Sequence, residues 1–126
     1  EIHYIPHNIE ETHWFLDKIE SPNFKWAFNV AHGHLVPEGW QGFLDEFGTK
    51  NIGQVRLNDN TGKHEIHLVP GEGNIDFETL FLRLNAKDYS GWFSLGFGDD
   101  SDKVRVRDWF TTLVSSETQF PITRFL

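Results

Sequence analysis

With 126 residues, the chain is long enough for one closed core, and its lack of cysteine rules out disulfides, thiolate zinc sites and nucleophilic thiols. Its formal charge of -8, with eleven Lys and Arg scattered rather than striped, repels polyanions and argues against nucleic acid as a partner. No apolar run approaches the roughly 20 residues of a membrane-spanning helix and no signal-peptide pattern is present, so the expectation is a soluble cytoplasmic protein without a membrane partner.

Four segments read as strands, each followed by a helical pattern. The first strand is Glu1 to Ile5. Its helix starts at Asn8 as N-cap, with Glu11 three residues on, and carries Ile9, Thr12, Phe15, Leu16 and Ile19 at helical spacing until Ser21-Pro22 stops it. The second strand is Phe24 to Val30. A His-Gly-His loop follows, and then Trp40, Phe43, Leu44 and Phe47 mark a short helix ending at Gly48. The third strand, Ile52 to Asn58, leads into a long His/Gly loop. Asp76 caps the next helix, which carries Phe77, Leu80, Phe81 and Leu84. The fourth strand is Gly91 to Phe97. Ser101 or Asp102 opens a last helix with Val106, Trp109, Phe110 and Leu113 on one side, and the tail from Ser115 to Leu126 shows no period.

Strands alternating with helices imply βαβ units and a parallel sheet. Parity within the strands says more. Phe24, Trp26 and Phe28 take one face, and Lys25, Ala27 and Asn29 the other. Phe93, Leu95 and Phe97 oppose Trp92, Ser94 and Gly96, while Val55 and Leu57 oppose Gln54 and Arg56. One greasy face for covering helices and one more polar face is the pattern of a barrel interior. The expected fold class is therefore α/β of the (β/α)8 TIM-barrel type. Residues 1–114 supply four βα units, half a barrel, and residues 115–126 form a C-terminal tail.

The most informative stretch is Arg56-Leu-Asn-Asp-Asn60, followed by His64-Glu-Ile-His67-Leu-Val-Pro-Gly-Glu-Gly73. It sets two imidazoles, a carboxylate and a glycine-flanked turn just beyond a short apolar strand. Leu57-Asn58-Asp59-Asn60, then His67 and Gly71-Glu-Gly-Asn-Ile-Asp-Phe77, resemble the C-terminal half of the xylose isomerase-like TIM barrels, strands five to eight. That family includes sugar-phosphate isomerases and epimerases and the family 2 apurinic-site endonucleases. The spacing of Asn29 and His32 is similar to the family's Asp-x-x-His, and Glu1-Ile-His to its strand-five Glu.

The resemblance implies a divalent-metal site with one ligand from each of four strands, falling on Glu1, Asn29, Arg56 and Gly96. Only Glu1 matches, so the isomerase metal site is expected to be degenerate: a guanidinium repels a cation, and a glycine offers no ligand. The endonuclease branch implies a further set resembling His32, Glu65 and His67. Two imidazoles and a carboxylate suit one zinc or manganese ion with a position left open. The plainer alternative is that these three make hydrogen bonds around loop ends. His34 and His64 read as solvent-facing loop residues, and Gly71-Glu72-Gly73 as shaping the turn into the Asp76-capped helix.

By the same resemblance, the substrate is a small sugar or sugar phosphate, contacted by His3, Asn29, His32 and Arg56. The chemistry is isomerase/epimerase-like proton transfer, with Glu1 as the catalytic carboxylate. Gly96 supplies no second base, which leaves catalysis itself open. Arg56 either pairs with Glu1 or binds a ligand through its planar donor fork. Two alternatives stand beside the enzyme: a non-catalytic sugar-binding protein, and a structural subunit completing a TIM barrel. Half a barrel leaves parallel edges open. The expected cover is an N-terminal half barrel, lying outside this sequence or in a separate subunit, or a second copy of the chain. The opening on Glu1 rather than Met favours the first.

Overall fold

The computed structural model describes residues 8–117; the expected strand Glu1 to Ile5 lies outside the described residues, as does everything after Glu117. In chain order the elements are α1 (Ile9–Lys18), β1 (Trp26–Asn29), α2 (Val30–Gly33), α3 (Gly39–Phe47), β2 (Ile52–Leu57), α4 (Phe77–Ala86), β3 (Trp92–Leu95) and α5 (Asp100–Glu117). The strands form one sheet in the order β1-β2-β3, and both pairings are parallel. A helix lies between each pair of consecutive strands, as parallel neighbours require.

The helix starts follow the sequence signals. Asn8 Oδ1 accepts the Glu11 backbone N–H at 2.9 Å, and Asp76 Oδ1 accepts that of Thr79 at 3.0 Å. α3 ends where expected, at Gly48, whose φ of +62° is the left-handed backbone that glycine tolerates. Several expected boundaries move: β1 begins at Trp26 rather than Phe24, β2 ends at Leu57 rather than Asn58, and β3 covers only Trp92–Leu95 of the expected Gly91 to Phe97. β1 stops at Asn29 rather than Val30, because the Asn29 side chain accepts the His32 backbone N–H and starts the one-turn helix α2. α5 begins at Asp100 and runs to Glu117, into the stretch expected as tail; Ser115, Ser116 and Glu117 contain no breaker, and the next proline is Pro121.

The helices pack on the face of the sheet that carries the aromatics. Trp26 lies 5.4 Å from Phe28, 6.4 Å from Phe43 and 5.6 Å from Phe47, ring to ring, joining β1 to α3. On the other side Phe81 lies 5.2 Å from Phe93 and 4.7 Å from Phe110, joining α4 to β3 and α5. Phe28, Val55, Leu57 and Phe93 are buried beneath these helices. Each such side chain contributes about 1.5–3 kcal/mol by leaving water. The opposite face is the polar one: Ala27, Gln54, Arg56 and Ser94 are half-buried and Trp92 is 44% exposed. The parity read from the sequence therefore holds except at two strand ends, where Asn29 is buried and Leu95 only half-buried.

Candidate metal centre

β1 delivers the first donor. Because Asn29 caps α2, the chain turns sharply at the carboxyl end of the strand and sets His32 three residues on. Gly33 then lets α2 lie against α3: a Cβ there would stand 3.0 Å from Trp40 Cα, closer than packing permits without movement. His32 ends with only 5% of its side chain exposed.

The other two donors come from the loop after β2, and a buried carboxylate folds that loop. Asp59 is fully buried. Its Oδ1 accepts the N–H of Asn60 at 2.9 Å and of Ile75 at 3.2 Å, and its Oδ2 accepts those of Gly71 and Gly73, each at 2.9 Å. Its backbone exchanges two hydrogen bonds with Leu68, at 2.9 and 3.0 Å, so the chain doubles back antiparallel at that point. Asn60 ties the loop to the first donor's element, its Nδ2 donating to Ala31 O at 2.9 Å while its Oδ1 accepts from Gly62 N–H at 2.8 Å. A Cβ on Gly73 would overlap both Asn60 O and the Asp59 carboxylate, so only glycine fits there.

Folded this way, the loop returns Glu65 and His67 to His32. Glu65 Oε1 lies 3.0 Å from His32 Nε2 and 3.8 Å from His67 Nε2, and one ligand atom from each residue falls within 4.8 Å of the others. Ligands about 2.0–2.2 Å from a tetrahedral zinc stand roughly 3.3–3.6 Å apart. The donor set and spacing therefore fit a divalent cation after small side-chain adjustments. His32 is buried while His67 is 52% exposed, which leaves the solvent side open to a further ligand.

The remaining candidates fall into place around this centre. Arg56 lies half-buried on the polar face, in register between Asn29 on β1 and Ser94 on β3. Asn29 is 2% exposed, with its Oδ1 engaged by the α2 cap. Gly96 continues beyond β3, its N–H donating to Leu57 O at 3.0 Å. His34 is not simply solvent-facing: its ring Nε2 lies 2.7 Å from Asn74 Oδ1, while His64 is exposed. Glu1 and His3 lie outside the described residues. The roles of Asp59, Asn60 and Asn74 in building the loop were not separable in the sequence, where they read only as parts of a motif.

The family model described as xylose isomerase-like TIM barrel matches residues 1–113. The chain belongs to that family. A D-tagatose 3-epimerase-like protein of known crystal structure superposes with a TM-score of 0.75 over 85% of this chain at 24% identity, which shows the barrel fold. The uncharacterized protein MJ1311 of Methanocaldococcus jannaschii is 28% identical over 92 residues, or 71% of this chain. The chain spans 31% of the length of that relative and 40% of the epimerase-like chain. Its three parallel strands, helix-covered on one face and polar on the other, are thus a segment of a TIM barrel. No helix among the described residues is long and apolar enough to cross a membrane.

Proposed function

We propose that this family member acts on, or binds, a small sugar or sugar phosphate at the carboxyl ends of its strands, with one divalent cation held by His32, Glu65 and His67. The observation that carries the reading is the convergence of three ligand atoms within 4.8 Å at that end of the sheet, where TIM barrels place their chemistry. A zinc or manganese ion there would polarise a carbonyl or hydroxyl oxygen of the sugar. The chain's own groups supply the rest. The Arg56 guanidinium, on the polar face, offers a planar fork to a hydroxyl or phosphate. Glu1 is the candidate base, and Asn29 holds His32 at the site. The ketose in the name of the structural neighbour makes D-tagatose the first ligand to try.

One observation favours a second reading, binding without turnover. Gly96 brings no carboxylate to the end of β3, so two-base proton transfer lacks its second base on these residues. The proposed setting is the cytoplasm, where a cysteine-free chain forgoes nothing. The polar face requires a cover: Lys25, Ala27, Gln54 and Trp92 line a shallow hollow of about 290 Å³ on it. A further half barrel, from a preceding segment or a second copy, would close it.

Metal analysis of protein purified without chelator tests the centre. About one zinc or manganese per chain, lost in His32→Ala and in His67→Ala, is the expected result. Folded protein that stays metal-free when dialysed against zinc would leave the three residues as a hydrogen-bonded cluster and remove the basis of the proposal.

A further inference from the structure

At the start of the loop after β2 one buried side-chain oxygen lacks the partners that those of its two successors have. Leu57 pairs with Leu95, and Gly96 N–H donates to Leu57 O, so the residue after the strand, Asn58, stands beside Gly96. A Cβ at Gly96 would meet Asn58 Nδ2 at 3.7 Å and Leu57 O at 3.8 Å, and nothing nearer. Alternation puts Gly96 on the face of Ser94 and Trp92, the polar inner face. The Asn58 side chain therefore lies at the carboxyl end of the sheet, with its Nδ2 toward the space beside Gly96. It is 3% exposed, and its Oδ1 is buried with no hydrogen-bond partner among the described residues. The next two side chains, Asp59 and Asn60, have carboxylate and amide oxygens that are all engaged. A buried amide oxygen is costly to leave unmade, and most such atoms find a donor.

We propose that Asn58 is a specificity-determining residue that reads adjacent hydroxyls of the sugar, in the space that glycine at position 96 leaves open. The proposal rests on the sugar-binding reading given above. The chemistry of the amide selects the ligand group. Oδ1 only accepts, so it takes a hydroxyl and not a phosphate oxygen, while Nδ2 donates to an oxygen beside it. A neighbouring pair of sugar hydroxyls matches both atoms of one amide. A cation on Oδ1 is disfavoured, because Arg56 lies two residues back, near the end of β2.

The test is calorimetric titration of D-tagatose into the full chain, beside the variants Asn58→Leu and Gly96→Ala, with thermal unfolding recorded for each. Asn58→Leu keeps the number and branching of side-chain heavy atoms and removes both the unpaired oxygen and the amide donor; Gly96→Ala fills the space at ordinary contact distance. The expected result is about tenfold weaker binding in both, the loss of roughly one hydrogen bond, with no lowering of Tm in Gly96→Ala. Wild-type affinity in Asn58→Leu would show that water satisfies Oδ1, overturning the role of Asn58 while leaving the sugar reading intact. If Asn58→Leu lowers both Tm and affinity, Gly96→Ala decides: weaker binding at full stability supports the subsite, and unchanged binding overturns it. No D-tagatose binding by the wild type, with zinc bound, would overturn this proposal, while the metal analysis above separately decides the reading it rests on.

Discussion

Asp59 and Gly73, fourteen residues apart, fix each other: the Gly73 N–H donates to Asp59 Oδ2 at 2.9 Å, and the space a Cβ would need at Gly73 is filled by the same carboxylate. Three more backbone N–H groups converge on Asp59, and the loop they close carries Glu65 and His67. The candidate centre of His32, Glu65 and His67 is thus positioned from behind by a residue that does not belong to it.

Replacing Asp59 by Asn turns one accepting oxygen into a donor facing other donors. The expected cost is about 2–3 kcal/mol, read as a lower urea midpoint. Gly73→Ala should act in the same direction, since its Cβ has nowhere to go. Both variants should also bind zinc more weakly than wild type through displacement of Glu65 and His67. Unfolding curves that superpose on the wild type would show that the loop does not depend on this carboxylate.

At the head of α4, Asp76 accepts both the backbone N–H and the hydroxyl of Thr79, at 3.0 and 2.7 Å. These bonds, the backbone one foremost, hold its carboxyl below the ordinary 3.8. A depressed carboxyl stabilises the fold above its unfolded value and loses that contribution as pH falls through the folded one. Asp76→Ala should therefore cost about 1 kcal/mol near neutrality. The gap to wild type should stay level down to about pH 5 and narrow below 3.8. A gap that persists undiminished at pH 2 would assign the loss to something other than the ionised cap.

Tyr89 provides the alkaline counterpart. It is 3% exposed, its hydroxyl donates to Trp92 O at 2.7 Å, and burial pushes its pKa up from 10.0 to about 12. Above pH 10 the unfolded chain gives up this proton while the folded one keeps it, so stability should fall as pH rises from 10 toward 12. Tyr89→Phe should flatten that part of the profile, at a cost of about 1 kcal/mol at neutral pH for the lost hydrogen bond. Parallel wild-type and variant profiles between pH 9 and 12 would count against a buried, proton-retaining Tyr89.

What could be read from the sequence was whatever local chemistry decides. Asn8 and Asp76 announced their helices through caps, Gly48 ended one, and the alternation in Phe28, Val55 and Phe93 gave the buried face. The grouping of His32, Glu65 and His67 came from family likeness and not from spacing, because thirty-three residues separate His32 from Glu65. Their meeting depends on long-range bonds such as Asp59 to Gly71 and Asn60 to Ala31, which leave no periodic trace. α2 was missed for a related reason. Asn29 reads as a strand residue by parity, and only its side-chain bond to His32 turns the chain into a helix.

Two of the four strand-end positions implied by the family resemblance, Arg56 and Gly96, can be substituted to test that ligand set. Arg56 lies between Asn29 and Ser94 in register, and a side chain at Gly96 meets only ordinary contacts at 3.7 and 3.8 Å. The Asn29 side-chain oxygen Oδ1, though it accepts the His32 N–H, keeps a second lone pair. Arg56→His removes the repelling guanidinium and adds an imidazole, and Gly96→Glu adds a carboxylate. Arg56→His alone should raise affinity for manganese or zinc. The double variant should carry about one more divalent ion per chain than the wild type, counted by metal analysis after dialysis. Placing the double variant on a His32→Ala background separates the sites, because the new ion should remain after the His32 centre is lost. A metal content that does not rise in the double variant would show that something besides Arg56 and Gly96 keeps a cation from the strand ends.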